Sequence, residues 1–203
     1  LDYVINDGHQ TQDNGSAKAR VTLFIDGGIY AELPVMTLPE DVIVNATALF
    51  TKVDVGVANA VDNTGQILPV SLLDGTTLFR PGNNVVYWQA EDSHGLKSVA
   101  SQSIVVHPLI TMSQDQKSVE GTSHTVGIYL NGAAPIYPVT IGYSVSGSAD
   151  ANDHNLIAGN IVINSGVIGH ISFDVLTDDM AEESETLTIT LDDTLNLGAK
   201  SAY

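Results

Sequence analysis

The chain has no cysteine. Disulfide staples, thiolate metal sites and cysteine nucleophiles are therefore excluded. Basic residues are scarce as well. Seven Lys and Arg stand against 24 Asp and Glu in 203 residues, a formal net charge of −17. Nucleic acids and anionic membranes are held through basic patches, so neither is an expected partner. Aromatic residues make up 6% of the chain, with a single Trp. That scarcity argues against a carbohydrate-stacking platform and against a glycosidase cleft. No apolar run approaches the roughly 18 residues of a membrane-spanning helix, so no direct membrane insertion is expected. No stretch carries the i, i+3, i+4, i+7 apolar pattern of a capped helix. No signal peptide is visible. The sequence opens mid-pattern at Leu1-Asp2-Tyr3-Val4-Ile5, and both ends read as cuts through a longer polypeptide.

Catalytic motifs are also missing. The six histidines are scattered singly, without zinc spacing. No Gly-x-Ser-x-Gly elbow and no phosphate-cradling glycine loop is present. A non-catalytic chain is expected.

What the sequence does contain is alternation. Hydrophobic content is 43%, enough for packed cores. Short segments rich in Val, Ile, Thr and Ser alternate apolar with polar, and turn residues recur between them. This is the pattern of half-buried strands in an all-β sandwich. Three spans are expected. Residues 1–32 hold two strand-like pieces, Leu1–Ile5 and Ala17–Ile25, read as the tail of a preceding β domain or a linker. Residues 33–108 hold strands at Val42–Asn45, Thr51–Val57, Leu68–Ser71, Gly75–Phe79, Asn84–Ala90 and Ser98–Val106. Trp88 is expected to anchor that core. Residues 109–203 hold strands at His124–Leu130, Val139–Val145, Asn160–Ile163, Ile168–Val175 and Glu185–Leu191. Asn131-Gly132 is expected to turn the chain at positive φ.

One polar stretch stands out. Asp178-Asp179-Met180-Ala181-Glu182-Glu183-Ser184-Glu185 has five carboxylates in eight residues. Crowded like charges raise one another's pKa, and a hard divalent cation relieves that. Ca²⁺ takes six to eight oxygen ligands from flexible loops. A solvated acidic turn is the plain alternative. Asp62 and Asp92 are expected to shape Asx-turns rather than bind metal. Asp192-Asp193 is expected to form a solvated turn at the opposite end of its strand.

Two resemblances extend this reading. Leu38-Pro39-Glu40-Asp41-Val42-Ile43-Val44, Ala58 to Gly65, and Phe79-Arg80-Pro81-Gly82 through Tyr87-Trp88-Gln89-Ala90-Glu91-Asp92-Ser93-His94-Gly95 resemble the HYR (hyalin repeat) domain. Ser118-Val119-Glu120-Gly121, Tyr143 to His154, Ile163-Asn164-Ser165-Gly166 and Ile171 to Leu191 resemble, in order and spacing, the Calx-beta domain. His154 stands where that family has Tyr. The family also closes with a further strand, and here the sequence reaches Ser201-Ala202-Tyr203 first, so a sandwich lacking that strand is expected.

The resemblances imply two tandem immunoglobulin-like antiparallel β-sandwiches. They imply Ca²⁺ held by Glu120, Asp153, Asp178, Asp179, Glu182 and Glu185, with Glu183 a further candidate. Asp153 and Asp179 are the favoured ligands, and Glu182 follows. The implied role is a calcium-stiffened spacer and adhesion module of a large bacterial surface or secreted protein. Its partners would be calcium, other domains of the same polypeptide, and a cell-surface or polymer ligand. The alternative is an accessory module tethering a secreted hydrolase.

Overall fold

A computed structural model describes residues 32–177, 183–193, 195–198 and 202–203. Every regular element among these residues is a β-strand, as the alternation demands. The tail pieces Leu1–Ile5 and Ala17–Ile25 lie outside the described residues.

Among the described residues, nine strands precede residue 108. They are β1 (Val35–Thr37), β2 (Val42–Asn45), β3 (Thr51–Lys52), β4 (Asn59–Val61), β5 (Ile67–Leu68), β6 (Val70–Leu72), β7 (Leu78–Phe79), β8 (Gly82–Glu91) and β9 (Lys97–His107). The long hairpin β8–β9 forms the spine. β2 joins β9 in parallel, and β6 joins β8, in the order β2-β9-β8-β6. Smaller sheets β1-β4-β5 and β3-β7 cover the inner face.

Val86, Trp88, Ala90, Ile104 and Val106 point inward from the spine, and all are buried. Val86, Trp88, Ile104 and Val106 pack on Ala46, Val53, Val55, Ala58 and Phe79, while Ala90 packs with Ala60 and Leu68. Trp88 is the anchor expected of it. Its indole N–H donates to Gln102 Oε1 at 3.1 Å. Gln102, only 1% exposed, donates onward to the carbonyls of Glu40 at 2.6 Å and Val55 at 3.1 Å. A buried amide is tolerated in this core because its polar atoms are matched.

Six strands follow among the described residues: β10 (Ile110–Met112), β11 (Ser123–Leu130), β12 (Val139–Gly147), β13 (Gly159–Ile163), β14 (Ile168–Asp174) and β15 (Leu187–Leu191). They form two three-stranded sheets, β10-β11-β14 and β13-β12-β15. Val126, Ile128, Leu130, Ile171 and Phe173 from the first sheet meet Ile141, Ile161, Ile163, Ile189 and Leu191 from the second in one core. Period-two burial from both sides is the arrangement of a β-sandwich.

Several expectations are corrected. Thr51–Val57 is a strand only over Thr51–Lys52, and Gly75–Phe79 only over Leu78–Phe79. Leu68–Ser71 is two short strands broken at Pro69, because proline lacks the N–H that a ladder needs. Glu185 lies before β15 rather than inside it. Asn131 and Gly132 are not among the residues at positive φ. A longer connection instead spans residues 131–138 and carries a cis Tyr137–Pro138 bond. The Asn-Gly pair therefore has a different role, taken up below. At the other end of the span, the chain begins to add to β15. Tyr203 and Ile189 exchange two backbone hydrogen bonds, at 2.8 and 2.9 Å.

Candidate metal centre

Among the described residues, Glu120, Asp153, Glu183 and Glu185 gather at one end of the β10–β15 sandwich. β14 and β15 belong to different sheets. Asp178, Asp179 and Glu182 lie outside the described residues. Glu120, Asp153 and Glu185 are described, and all three line one cleft of 1060 Å³.

Three loops build this end. Glu120 lies in the exposed turn before β11, where Gly121 N–H donates to the Val175 carbonyl at 3.0 Å. Asp153 closes the Asp150–Asp153 turn that follows β12. Its Oδ2 accepts the Asp150 N–H at 2.6 Å, while Asp150 Oδ1 accepts the Asn152 N–H at 2.7 Å. One oxygen of each aspartate is thus engaged in shaping the loop. Glu185 approaches from the strand-entering segment of β15. Ser148 and Ala149 donate their N–H groups to the Thr186 carbonyl at 2.9 and 3.1 Å. Those bonds bring the Asp150–Asp153 turn beside Glu185.

The electrostatic result is visible at Glu185. Its carboxyl is held above the usual range, first by lost hydration, then by a hydrogen bond with Asp153 and by the charges of Asp153 and Asp150. Glu185 is exposed as a residue, so water moderates the effect. The direction is that of a carboxyl beside other carboxylates.

Replacing Glu185 with Gln removes the contact. The sign follows from linkage. A carboxyl whose folded pKa exceeds its unfolded value binds its proton more tightly in the folded state. Its contribution is complete at low pH and is lost as pH rises through the folded pKa. In EDTA at neutral pH, Glu185→Gln is therefore expected to be more stable than the native chain. The gap should close below the carboxylate range. Urea unfolding at neutral and acidic pH reads this directly. A variant less stable than the native chain at neutral pH in EDTA would contradict it.

Other sequence expectations can be placed. Asp62 Oδ1 accepts from Thr64 N–H, Thr64 Oγ1 and Gln66 N–H at 2.6–2.9 Å. Its carboxyl is pulled below the usual range, mainly by the Thr64 hydroxyl and the Gln66 amide. Asp92 Oδ1 accepts from His94 and Leu96 N–H, both at 2.8 Å. Both residues are Asx-turn formers, as expected. Asp192 and Asp193 are exposed at the far end of β15, where Asp192 N–H bonds the Gly142 carbonyl. His154 is buried, and its Nδ1 accepts the Leu156 N–H at 3.2 Å. It braces the loop that carries Asp153.

Two features of the rim were not anticipated. Asp174, at the end of β14, accepts from Ser123 Oγ at 2.6 Å and from Asn155 Nδ2 at 2.9 Å. His124 stacks on Phe173 and bonds the hydroxyls of Ser118 and Thr122. Only the β11–β14 register, Ser123 opposite Asp174 and His124 opposite Phe173, brings these residues together. No local sequence signal reports that register.

Among the described residues, no three His, Asp or Glu side chains converge closely enough to form a metal-ligating group. A scan against protein-family models finds no match, and a search of curated proteins finds no relative.

Proposed function

We propose that this chain is a non-catalytic, extracellular calcium-binding spacer and adhesion module of a large multidomain bacterial surface or secreted protein. The single observation that carries this reading is geometric: Glu120, Asp153 and Glu185, from three separate loops, line one cleft. Two neighbouring loops, one from β12 and one leading into β15, supply hard oxygen donors to it. Glu183, the described end of the acidic run, lines the same cleft. Hard oxygen donors on flexible loops suit Ca²⁺, and softer metals prefer sulfur or imidazole ligands. In this reading Glu120, Asp153, Asp178, Asp179, Glu182 and Glu185 supply the ligands. The resemblance of residues 109–203 to Calx-beta and of residues 33–108 to HYR supports two immunoglobulin-like modules in tandem. Their partners are calcium, neighbouring domains and a cell-surface or polymer ligand.

The function follows from linkage. A cation that binds only the folded state stabilises it by RT ln(1 + [L]/Kd). With Kd of about 10⁻⁴–10⁻³ M, usual for extracellular modules, ~5 mM calcium contributes about 1–2.5 kcal/mol. Thermal unfolding in EDTA, in ~5 mM CaCl₂ and in ~5 mM MgCl₂ tests this, beside Asp178→Asn/Asp179→Asn. The midpoint of the native chain is expected to rise by several degrees in calcium alone, and the double variant is expected to lose that rise. Equal shifts with both cations, or none, would overturn the reading.

A further inference from the structure

The connection from β9 to β10 is only Pro108-Leu109. Leu109 packs on the first core, while the next residue, Ile110, belongs to the second. Two sandwiches joined this closely either swivel about one bond pair or are clamped. The contacts around the connection are those of a clamp.

Asn131, at the end of β11, is its first jaw. Its Oδ1 accepts the Leu109 N–H at 2.7 Å, and its own N–H donates to the Leu109 carbonyl at 3.0 Å. Its Nδ2 reaches across to the Ala48 carbonyl at 2.8 Å. Asn196, after β15, is the second. Its Nδ2 lies within 3.1–3.3 Å of the carbonyls of Ala46, His107 and Pro108. Its carbonyl accepts the Ile110 N–H at 2.9 Å. The third point is Asn83, whose Nδ2 donates to the Pro135 carbonyl at 2.9 Å. Beside it Gly132 abuts Pro81 so closely that a Cβ on Gly132 would sit 2.9 Å from the proline ring. That contact explains why glycine follows Asn131 although the turn does not use positive φ.

Three separated contacts fix both the bend and the rotation of one body on another. Every bond in this set is donated or accepted by an amide or backbone group, and none depends on an ionisable side chain. The acidic cleft lies at the other end of the sandwich, separated by the length of β11, roughly 25 Å at about 3.4 Å per residue.

We propose that the joint between the two sandwiches is a metal-independent locked elbow, held by the side-chain amides of Asn131, Asn196 and Asn83. It deepens the spacer reading and rests on its two-module division. It also separates two roles that the sequence merges. Calcium acts at the distal acidic end, and segmental stiffness at this joint comes from the amides.

The chain's lack of cysteine makes paired spin labelling direct. Ser101→Cys on β9 and Val162→Cys on β13 place one exposed label on each sandwich. Double electron–electron resonance is expected to give one narrow distance distribution in EDTA, unchanged on adding CaCl₂. In Asn131→Ala/Asn196→Ala the narrow peak should be lost, while far-UV circular dichroism stays that of a folded β protein. Asn83→Ala is the milder variant and should broaden the peak without unfolding, even if the double variant fails to fold. A broad distribution for the native chain in EDTA, or one that narrows only with calcium, would overturn the elbow. So would an unchanged narrow peak in folded variants. A failed calcium shift in thermal unfolding with a narrow peak in EDTA would remove the metal reading and leave the elbow intact.

Discussion

Trp88→Ala is expected to cost about 3–5 kcal/mol, the range for deleting a large buried aromatic side chain. Trp88 is 5% exposed and contacts a core built from both layers around the β8–β9 spine. Its removal leaves a cavity and strips the Gln102 carbonyl oxygen of the indole N–H. Gln102→Leu separates these effects. It retains the bulk but orphans the Trp88 N–H and the carbonyls of Glu40 and Val55. Unmatched buried groups cost about 1–3 kcal/mol each when water cannot reach them. A loss of about 2 kcal/mol or more is expected. Chemical denaturation of both variants checks this. A Gln102→Leu variant as stable as the native chain would show that the amide network contributes nothing.

The second large effect is expected at Gly147. This residue pairs with Leu187 at the acidic end of the second sandwich, with φ of 140°. A Cβ there would lie 1.9 Å from the Thr186 carbonyl oxygen. Two penalties combine, a backbone conformation that L-residues avoid and a collision with main chain that cannot rotate away. Gly147→Ala is expected to destabilise by about 2–4 kcal/mol. The Thr186 carbonyl must move, and it is the acceptor that holds Ser148 and Ala149 beside Glu185. The same substitution is therefore expected to weaken any calcium-dependent shift. Gly166→Ala is the control, since that glycine has positive φ but nothing within 4 Å of an added Cβ. It should cost only about 1 kcal/mol. Equal losses at both positions would show that the collision is relieved without disturbing the loop.

The alternation of apolar residues was sufficient to locate the long strands. Val42–Asn45 has the same bounds in sequence and structure, and β8, β9, β11 and β14 differ from expectation by a residue or two at their ends. These strands expose one face and bury the other, so each residue reports its side. The short strands were less legible. Val35–Thr37, Asn59–Val61 and Ile110–Met112 have three residues each, too few for a period to register. Asp62 and Asp92 were readable as turn formers because an Asx-turn is settled within a few residues.

The candidate site was legible only in part. Asp153 and Glu185 came from the Calx-beta resemblance, and the structure brings them into contact. The place of Asp150 beside Glu185 depends on the β12–β15 register. Pairings between distant segments are set by the fold as a whole, and no local pattern encodes them. The Asn131-Gly132 pair makes the same point in reverse. Local turn chemistry suggested a tight hairpin. Asn131 instead bonds across the joint, and Gly132 makes room for Pro81.

The most direct test of the central claim is calcium binding itself, by equilibrium dialysis of the intact chain against radioactive calcium with magnesium as competitor. The account predicts saturable binding with Kd of about 10⁻⁴–10⁻³ M that excess magnesium does not displace. It also predicts weaker binding in Asp153→Asn and Glu185→Gln. Binding that does not saturate, or that magnesium displaces on equal terms, would reduce the acidic end to a diffuse negative surface and contradict the account.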